Sequence, residues 1–293
     1  MKQLVILTFA LCAMLFSSCE KFEIDAKDNG GTNTKDGNLT VKAECVYTRA
    51  EGDDPEASLP LKDRFTLMSL VIYRDGVRVN YVNQKNDAPD FGTMTVDLDP
   101  GTYKLVVLAH SGTRSPTTTN INKISFSAPL TDVFSYCGEI TVTAESSTIN
   151  VKLTRAVAKV QLNITDEIPA EASMINFSFK GAALTLDAET QKGIVSSTRR
   201  NVEMEMVDGT SNYAIYTFVS DKDTQKLDMD VSVYKNTDSN PEVLASKSFE
   251  NVPVEIRKVT NINKGMFDGI LEGPSTITVE VDGTWEGTID YTM

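Results

Sequence analysis

From Leu39 onward, apolar and polar residues alternate with a period of two, the spacing of strands that bury one face. In Leu39–Tyr47 one face carries Leu39, Val41, Ala43, Cys45 and Tyr47, and the other Thr40, Lys42, Glu44 and Val46. Ala158, Val160, Leu162 and Ile164 alternate with Lys159, Gln161 and Asn163, and Leu227, Met229, Val231 and Val233 with Asp228, Asp230 and Ser232. Ile277, Val279 and Val281 repeat the pattern near the C-terminus. Asp75-Gly76, inside Tyr73–Val79, predicts a hairpin, because glycine tolerates the positive φ such turns require. Pro100-Gly101 and Asp282-Gly283 are further turn pairs. No dozen residues hold a helical period, so helix is expected only as short pieces at Pro169–Ser173 and Ala128–Phe134.

Short strands separated by turns predict an all-β chain whose sheets bury one face on another. About fifteen strands exceed what one sandwich usually holds, so two consecutive β-sandwich domains are expected, Ig-like or transthyretin-like. The best seam is Thr154-Arg155-Ala156, between predicted strands Thr148–Leu153 and Val157–Thr165. It divides the body into 39–155 and 156–293, and its lack of a Pro/Gly/Ser linker predicts a fixed relation between the halves.

Ahead of this body stands an export signal. Lys2 is followed by the apolar run Leu4–Phe16, too short for a membrane span of about 20 residues and suited to a signal-peptide core. Ser17, Ser18 and Cys19 complete the pattern of a bacterial lipoprotein, although Phe16 stands where leucine is usual. Residues 1–18 are therefore expected to be cleaved and Cys19 to carry the lipid, with several acyl chains anchoring it stably to a membrane. An ordinary cleaved signal with a chance cysteine is the other reading. Residues 19–38 are rich in Gly, Asn and Asp and read as a flexible tether. Asp28, Asn29, Asp36 and Asn38 lack the order of a calcium loop.

Composition narrows the function classes. With 28 Lys+Arg against 41 Asp+Glu in 293 residues, the net charge of −13 opposes a phosphate-tracking surface, and no nucleic acid is expected as a partner. His110 is the only histidine, and G-x-S-x-G, C-x-x-C, H-E-x-x-H and phosphate-cradling glycine loops are missing. No catalytic residue, metal or cofactor is assigned, and the expectation is a non-enzyme. His110 lies between the apolar strand Leu105–Ala109 and Ser111-Gly112, which points to a loop. Asp221, Asp223, Asp228 and Asp230 read as a solvated face before a cation site. Tyr73, Tyr81 and Tyr136, with the single Trp285, are either a sugar-stacking platform or caps on a sandwich core.

Beyond Cys12 in the signal and Cys19, Cys45 and Cys137 remain. An exported protein permits a disulfide, and one closing so long a loop would contribute about 4–5 kcal/mol in the loop-entropy account. The parity of the two strands opposes the bridge unless Gly138 forms a bulge, so two unbridged buried thiols are the competing reading.

Three segments carry a resemblance. Leu98-Asp-Pro-Gly-Thr-Tyr-Lys-Leu-Val-Val-Leu-Ala109, Leu153-Thr-Arg-Ala-Val-Ala-Lys-Val160 and Val252-Pro-Val-Glu-Ile-Arg-Lys-Val-Thr-Asn-Ile-Asn-Lys-Gly-Met-Phe267 lie in that order. They resemble stretches of the FimA/Mfa-type fimbrillins, the fimbrial subunits and anchors of Bacteroidia. The third departs from the family with Arg257 near an expected Asn and Met266 in place of Leu. The resemblance implies a lipoprotein of the outer membrane or cell surface, with other fimbrial subunits as partners. In that family a protease cuts after Arg or Lys behind the first strand, and a strand from another subunit fills the vacated groove by β-augmentation. The cut subunit leaves its anchor for the fimbrium, whereas anchor subunits keep strand and lipid. Mapped onto this chain, the removable strand is Leu39–Tyr47, with Leu39, Val41, Ala43 and Cys45 inward, and the candidate cleavage residue is Arg49. A Cys45–Cys137 bridge would tie that strand in place. The alternative is a surface lipoprotein that binds glycan or another ligand through loops of a sandwich. Ile277–Met293 is either a donor strand or the completion of its own domain.

Overall fold

The computed structural model describes residues 37–45, 59–220, 225–235, 241–267 and 287–288. Cys19, Arg49, Trp285, Asp221 and Asp223 lie outside the described residues, as does the predicted strand at Ile277. The fold is all-β, with eighteen strands and a single helical turn among the described residues.

The first half holds β1 (Leu39–Cys45), α1 (Leu61–Arg64), β2 (Leu67–Arg74), β3 (Val77–Lys85), β4 (Thr93–Val96), β5 (Gly101–His110), β6 (Ile124–Ser125), β7 (Val133–Val142) and β8 (Ser147–Arg155). β3-β2-β5-β7 form one layer and β8-β1-β4 a second, joined where Phe134 and Ser135 of β7 pair with Arg155 and Thr154 of β8. The predicted Asp75-Gly76 hairpin joins β2 to β3, with φ of 51° and 78° at its two corners. Met68, Leu70 and Ile72 of β2 and Leu105, Val107 and Ala109 of β5 meet Leu39, Val41, Met94, Val151 and Leu153 in one core between the layers.

The second half holds β9 (Val157–Ile164), β10 (Ala172–Lys180), β11 (Thr185–Asp187), β12 (Lys192–Ile194), β13 (Arg200–Glu205), β14 (Asn212–Phe218), β15 (Lys226–Lys235), β16 (Glu242–Pro253), β17 (Lys258–Lys264) and β18 (Gly287–Thr288). Sheets β13-β10-β15-β16 and β14-β9-β17-β18 face one another. The alternating sets predicted from sequence, Ala158/Val160/Leu162/Ile164 and Leu227/Met229/Val231/Val233, all point into the core between them. In each half the first strand runs parallel to a late one, β1 to β8 and β9 to β17.

Ala156 alone separates β8 from β9, and its N–H donates to Val133 O at 2.8 Å. The halves share more than this seam. β6, from the first half, pairs with β11 in the small sheet β12-β11-β6. A third core gathers Val71, Val106, Leu108 and Ile124 from the first half with Val157, Leu186, Phe218 and Val259 from the second.

Two local expectations are corrected. Neither Pro169–Ser173 nor Ala128–Phe134 is helical: the first is a turn closed by Ala172 N–H to Pro169 O at 2.9 Å, and the second runs into β7. The one helical turn, α1, follows Pro60 and is too short to leave a period in the sequence. His110 is not in a loop. It is the last residue of β5, with 3% of its surface exposed.

Candidate functional site: the groove held by the first strand

β1 is an interior strand of its layer. Along Leu39–Cys45 it pairs in parallel with Ser147–Leu153 of β8, and its other edge pairs antiparallel with β4 from Leu39↔Val96 to Lys42↔Thr93. Beyond β4 the ladder continues through Ala43 N–H to Gly92 O at 2.8 Å. Gln84 holds that loop in place, accepting from Gly92 N–H at 3.0 Å and donating to Thr93 O at 2.8 Å. Leu39, Val41 and Ala43 are 1%, 0% and 7% exposed, while Lys42 and Glu44 face water. Burial of Leu39 and Val41 stabilises by about 1.5–3 kcal/mol each.

The strand's entrance is also specified. The Asn38 carboxamide accepts from Leu98 N–H at 3.0 Å and donates to Leu98 O at 2.7 Å and to Thr143 O at 3.2 Å. Its own backbone carbonyl accepts from Ser147 N–H at 2.8 Å. A Cβ added at Gly37 would run into the carbonyl oxygen of Val96, so the chain enters the groove through a position only glycine fills. Asn38, read from composition as the last residue of the tether, is thus a fixed part of the sandwich. Nothing in the sequence marks it as a clamp.

No disulfide joins Cys45 and Cys137. Cys45 packs on the core inside the first sandwich, whereas Cys137 packs on the third core, on the opposite face of its sheet. The bulge at Gly138 that would have brought them together is missing, since β5 and β7 pair in unbroken register from Gly101↔Val142 to His110↔Val133. Burial raises the Cys137 thiol pKa above its ordinary value.

The remaining candidates separate. Tyr73 is buried, donates from its hydroxyl to Thr118 O at 2.6 Å, and has a pKa pushed up to about 12 by burial. Tyr81 lies under the Arg78 guanidinium at 4.4 Å, and Tyr136 packs against the first core, so the three tyrosines form no stacking platform. Asp228 and Asp230 are outward on β15 and are engaged by Lys180 at 3.4 Å and Arg199 at 2.7 Å. The N–H of Asn251 bonded to Asp228, and the Ser248 hydroxyl bonded to Asp230, hold both carboxyls below the usual range. They are an ion-paired face, and no cluster of metal-binding side chains forms among the described residues. A cavity of about 540 Å³ in the second half is lined by Asp187, Lys192, Ile194, Val195 and Gln225 with no aromatic ring.

At the seam, Arg155 binds Asp132 through two hydrogen bonds of 2.8 Å, and Arg64 approaches the same carboxylate at 3.6 Å. Both guanidiniums also lie over the Phe134 ring. Arg257, the departure noted in the third resembling segment, donates to Arg155 O at 3.0 Å.

An all-β double sandwich with its first strand buried mid-sheet is the class that these observations define. The chain belongs to DUF6562, a family of unknown function whose model matches residues 31–293. No curated protein matches it. Among solved structures it is similar to a candidate polysaccharide-binding protein of Bacteroides thetaiotaomicron, at 9% identity and a TM-score of 0.49 over 88% of this chain and 99% of that one. It is similar also to a candidate adhesin of Bacteroides ovatus, at 14% identity and a TM-score of 0.43 over 74% and 85%. The tip fimbrial protein Mfa3 of Porphyromonas gingivalis, with a C-terminal truncation, aligns at 13% identity and a TM-score of 0.40 over 79% and 95%.

Proposed function

We propose that this protein is a structural component of adhesive fimbriae, a pilus subunit or membrane anchor that assembles by β-strand donation. The observation that carries the reading is the position of β1. It is hydrogen-bonded on both edges, it supplies buried side chains to the first core, and no disulfide ties it to the domain. Its loss would open a slot between β8 and β4, with unpaired backbone on both walls and apolar pockets on its floor. An extended segment of another subunit restores both kinds of contact at once. The sequence resemblance to fimbrillins supports the same reading, as does the lipoprotein pattern at Cys19, which would hold the protein at the outer membrane until cleavage after Arg49 freed it.

The test is limited trypsin digestion of lipid-free residues 20–293, followed by mass and by oligomeric state. Selective cutting after Arg49, loss of Leu39–Arg49 and a ladder of multimers are expected of a polymerising subunit. An uncut chain, or a cut chain that stays monomeric with its strand bound, removes the polymerising role and leaves an anchor or a ligand-binding surface lipoprotein.

A further inference from the structure

The strand-exchange reading leaves open which strand the groove accepts, and the entrance of the groove bears on that. Resting on that reading, we propose that the groove is read by the Gly37-Asn38 step. The strand that fills it is an extended segment of a different protein, of the form Gly-Asn-apolar-x-apolar-x-small.

β4 ends at Val96, and beyond that point no backbone of β1 reaches the β4–β5 connection. The Asn38 carboxamide takes over. It presents a donor and an acceptor to the two polar groups of Leu98, in the arrangement of a peptide unit, and spends its second N–H on Thr143 O. One side chain therefore pins two connections, β4–β5 and β7–β8, at the mouth of the groove. Aspartate has no N–H to donate, alanine has neither group, and glutamine sets its amide one methylene too far along. Gly37 adds a steric filter, because any side chain there meets Val96 O and the Thr95 methyl. Deeper in, the pockets take Leu39, Val41 and the small Ala43, whereas Lys42 and Glu44 are outside and unread.

Gly-Asn occurs once in this chain. Ile277-Thr-Val-Glu-Val281 shares the alternation of Leu39-Thr-Val-Lys-Ala43, yet is preceded by Ser275-Thr276. Set in the groove by its apolar residues, it would place a side chain against Val96 O and a hydroxyl where the carboxamide belongs. Residues 275–283 of a second copy are thus a poor occupant, and on the proposed reading a second copy's Gly37–Ala43 leaves with its own cleaved strand, so the partner is a distinct subunit.

The test uses lipid-free residues 20–293 with a site for a sequence-specific protease placed at 50–54, so that cutting does not depend on Arg49. After cutting, fluorescently labelled nine-residue peptides are exchanged into the groove and followed by anisotropy. The peptides are native Gly37–Cys45, its Asn38→Ala, Asn38→Gln and Gly37→Ala forms, and Ser275–Gly283. The native peptide is expected to enter, and each variant and the tail peptide to bind about 10- to 100-fold more weakly, through lost Asn38 hydrogen bonds at a part-buried site or, for Gly37→Ala, through the clash with Val96 O. Equal binding of Asn38→Ala and native peptides overturns the clamp, and equal binding of Ser275–Gly283 overturns the distinct partner, with strand exchange intact in both cases. If no peptide enters, strand exchange itself fails. Because every change is in a free peptide, misfolding of the protein cannot mimic a difference between peptides, and a circular dichroism spectrum of the cut protein that matches the uncut one keeps the no-entry result decisive.

Discussion

His110 closes β5 inside the protein, where its Nδ1 accepts from Gly112 N–H at 3.1 Å and its ring meets Phe126 edge-on at 5.4 Å. Burial lowers its pKa from the usual 6.5 to about 4. The unfolded chain therefore takes up a proton at a pH where the folded chain does not. The resulting stabilisation is complete above pH 6.5, declines as pH falls from there, and is gone below about 4. Its size is about 3 kcal/mol at most. Denaturant midpoints measured from pH 7.5 to 4.5 should fall, and His110→Asn, which keeps an acceptor near the Nδ1 position, should flatten that part of the profile. A profile of the same slope in the variant would show that other groups govern acid sensitivity. Nothing in the residue pattern around His110 signals this burial. A lone histidine between an apolar strand and Ser-Gly looks like the start of a loop, whereas Phe126 and Leu130, distant in sequence, lie beside it in the fold.

At the scale of elements, β1 was the most legible part of the chain. Its alternation identified Leu39, Val41 and Ala43 as inward and Lys42 and Glu44 as outward, because a strand with one wet face writes its orientation into every second residue. Leu39→Ala should lower unfolding free energy by about 2–4 kcal/mol, and Lys42→Ala by less than about 0.5 kcal/mol, a contrast that urea titration resolves. The neighbours of β1 were not legible. Parallel pairing with β8 joins residues a hundred positions apart, and strand periodicity carries no information about partners. α1 was equally hidden. Its Arg64 reaches Asp132, which also holds Arg155 at the end of β8, so one carboxylate serves two buried guanidiniums from two elements. Asp132→Asn should destabilise by about 3 kcal/mol, since it leaves two cations in a site that desolvates both. Charge-neutral behaviour in that variant would mean that the stacking on Phe134 holds the arginines without the carboxylate.

The whole molecule departs from two independent sandwiches. The expected seam at Thr154-Arg155-Ala156 lies at the passage from β8, which ends at Arg155, to β9, which begins at Val157. What sequence periodicity could not reveal was that the two would share a third core and a sheet. β6 is only two residues long, and its pairing with β11 spans sixty positions. Leu186 and Phe218 from the second half pack with Ile124, Phe126 and Leu108 from the first, and Arg257 reaches back to Arg155 O across the seam. Apolar burial at such a contact is of the same kind as burial within either half, so unfolding one half exposes part of the other's core. The two halves should therefore unfold in a single transition, with the calorimetric enthalpy equal to the van't Hoff enthalpy. Ile124→Asp places a charge in the shared core without touching either sandwich interior, and it should split that transition in two. Two transitions in the unmodified protein would show that the third core is too weak to couple the halves. A single transition would make the pair one lever, able to pass strain on a strand seated in the first sandwich through to the second.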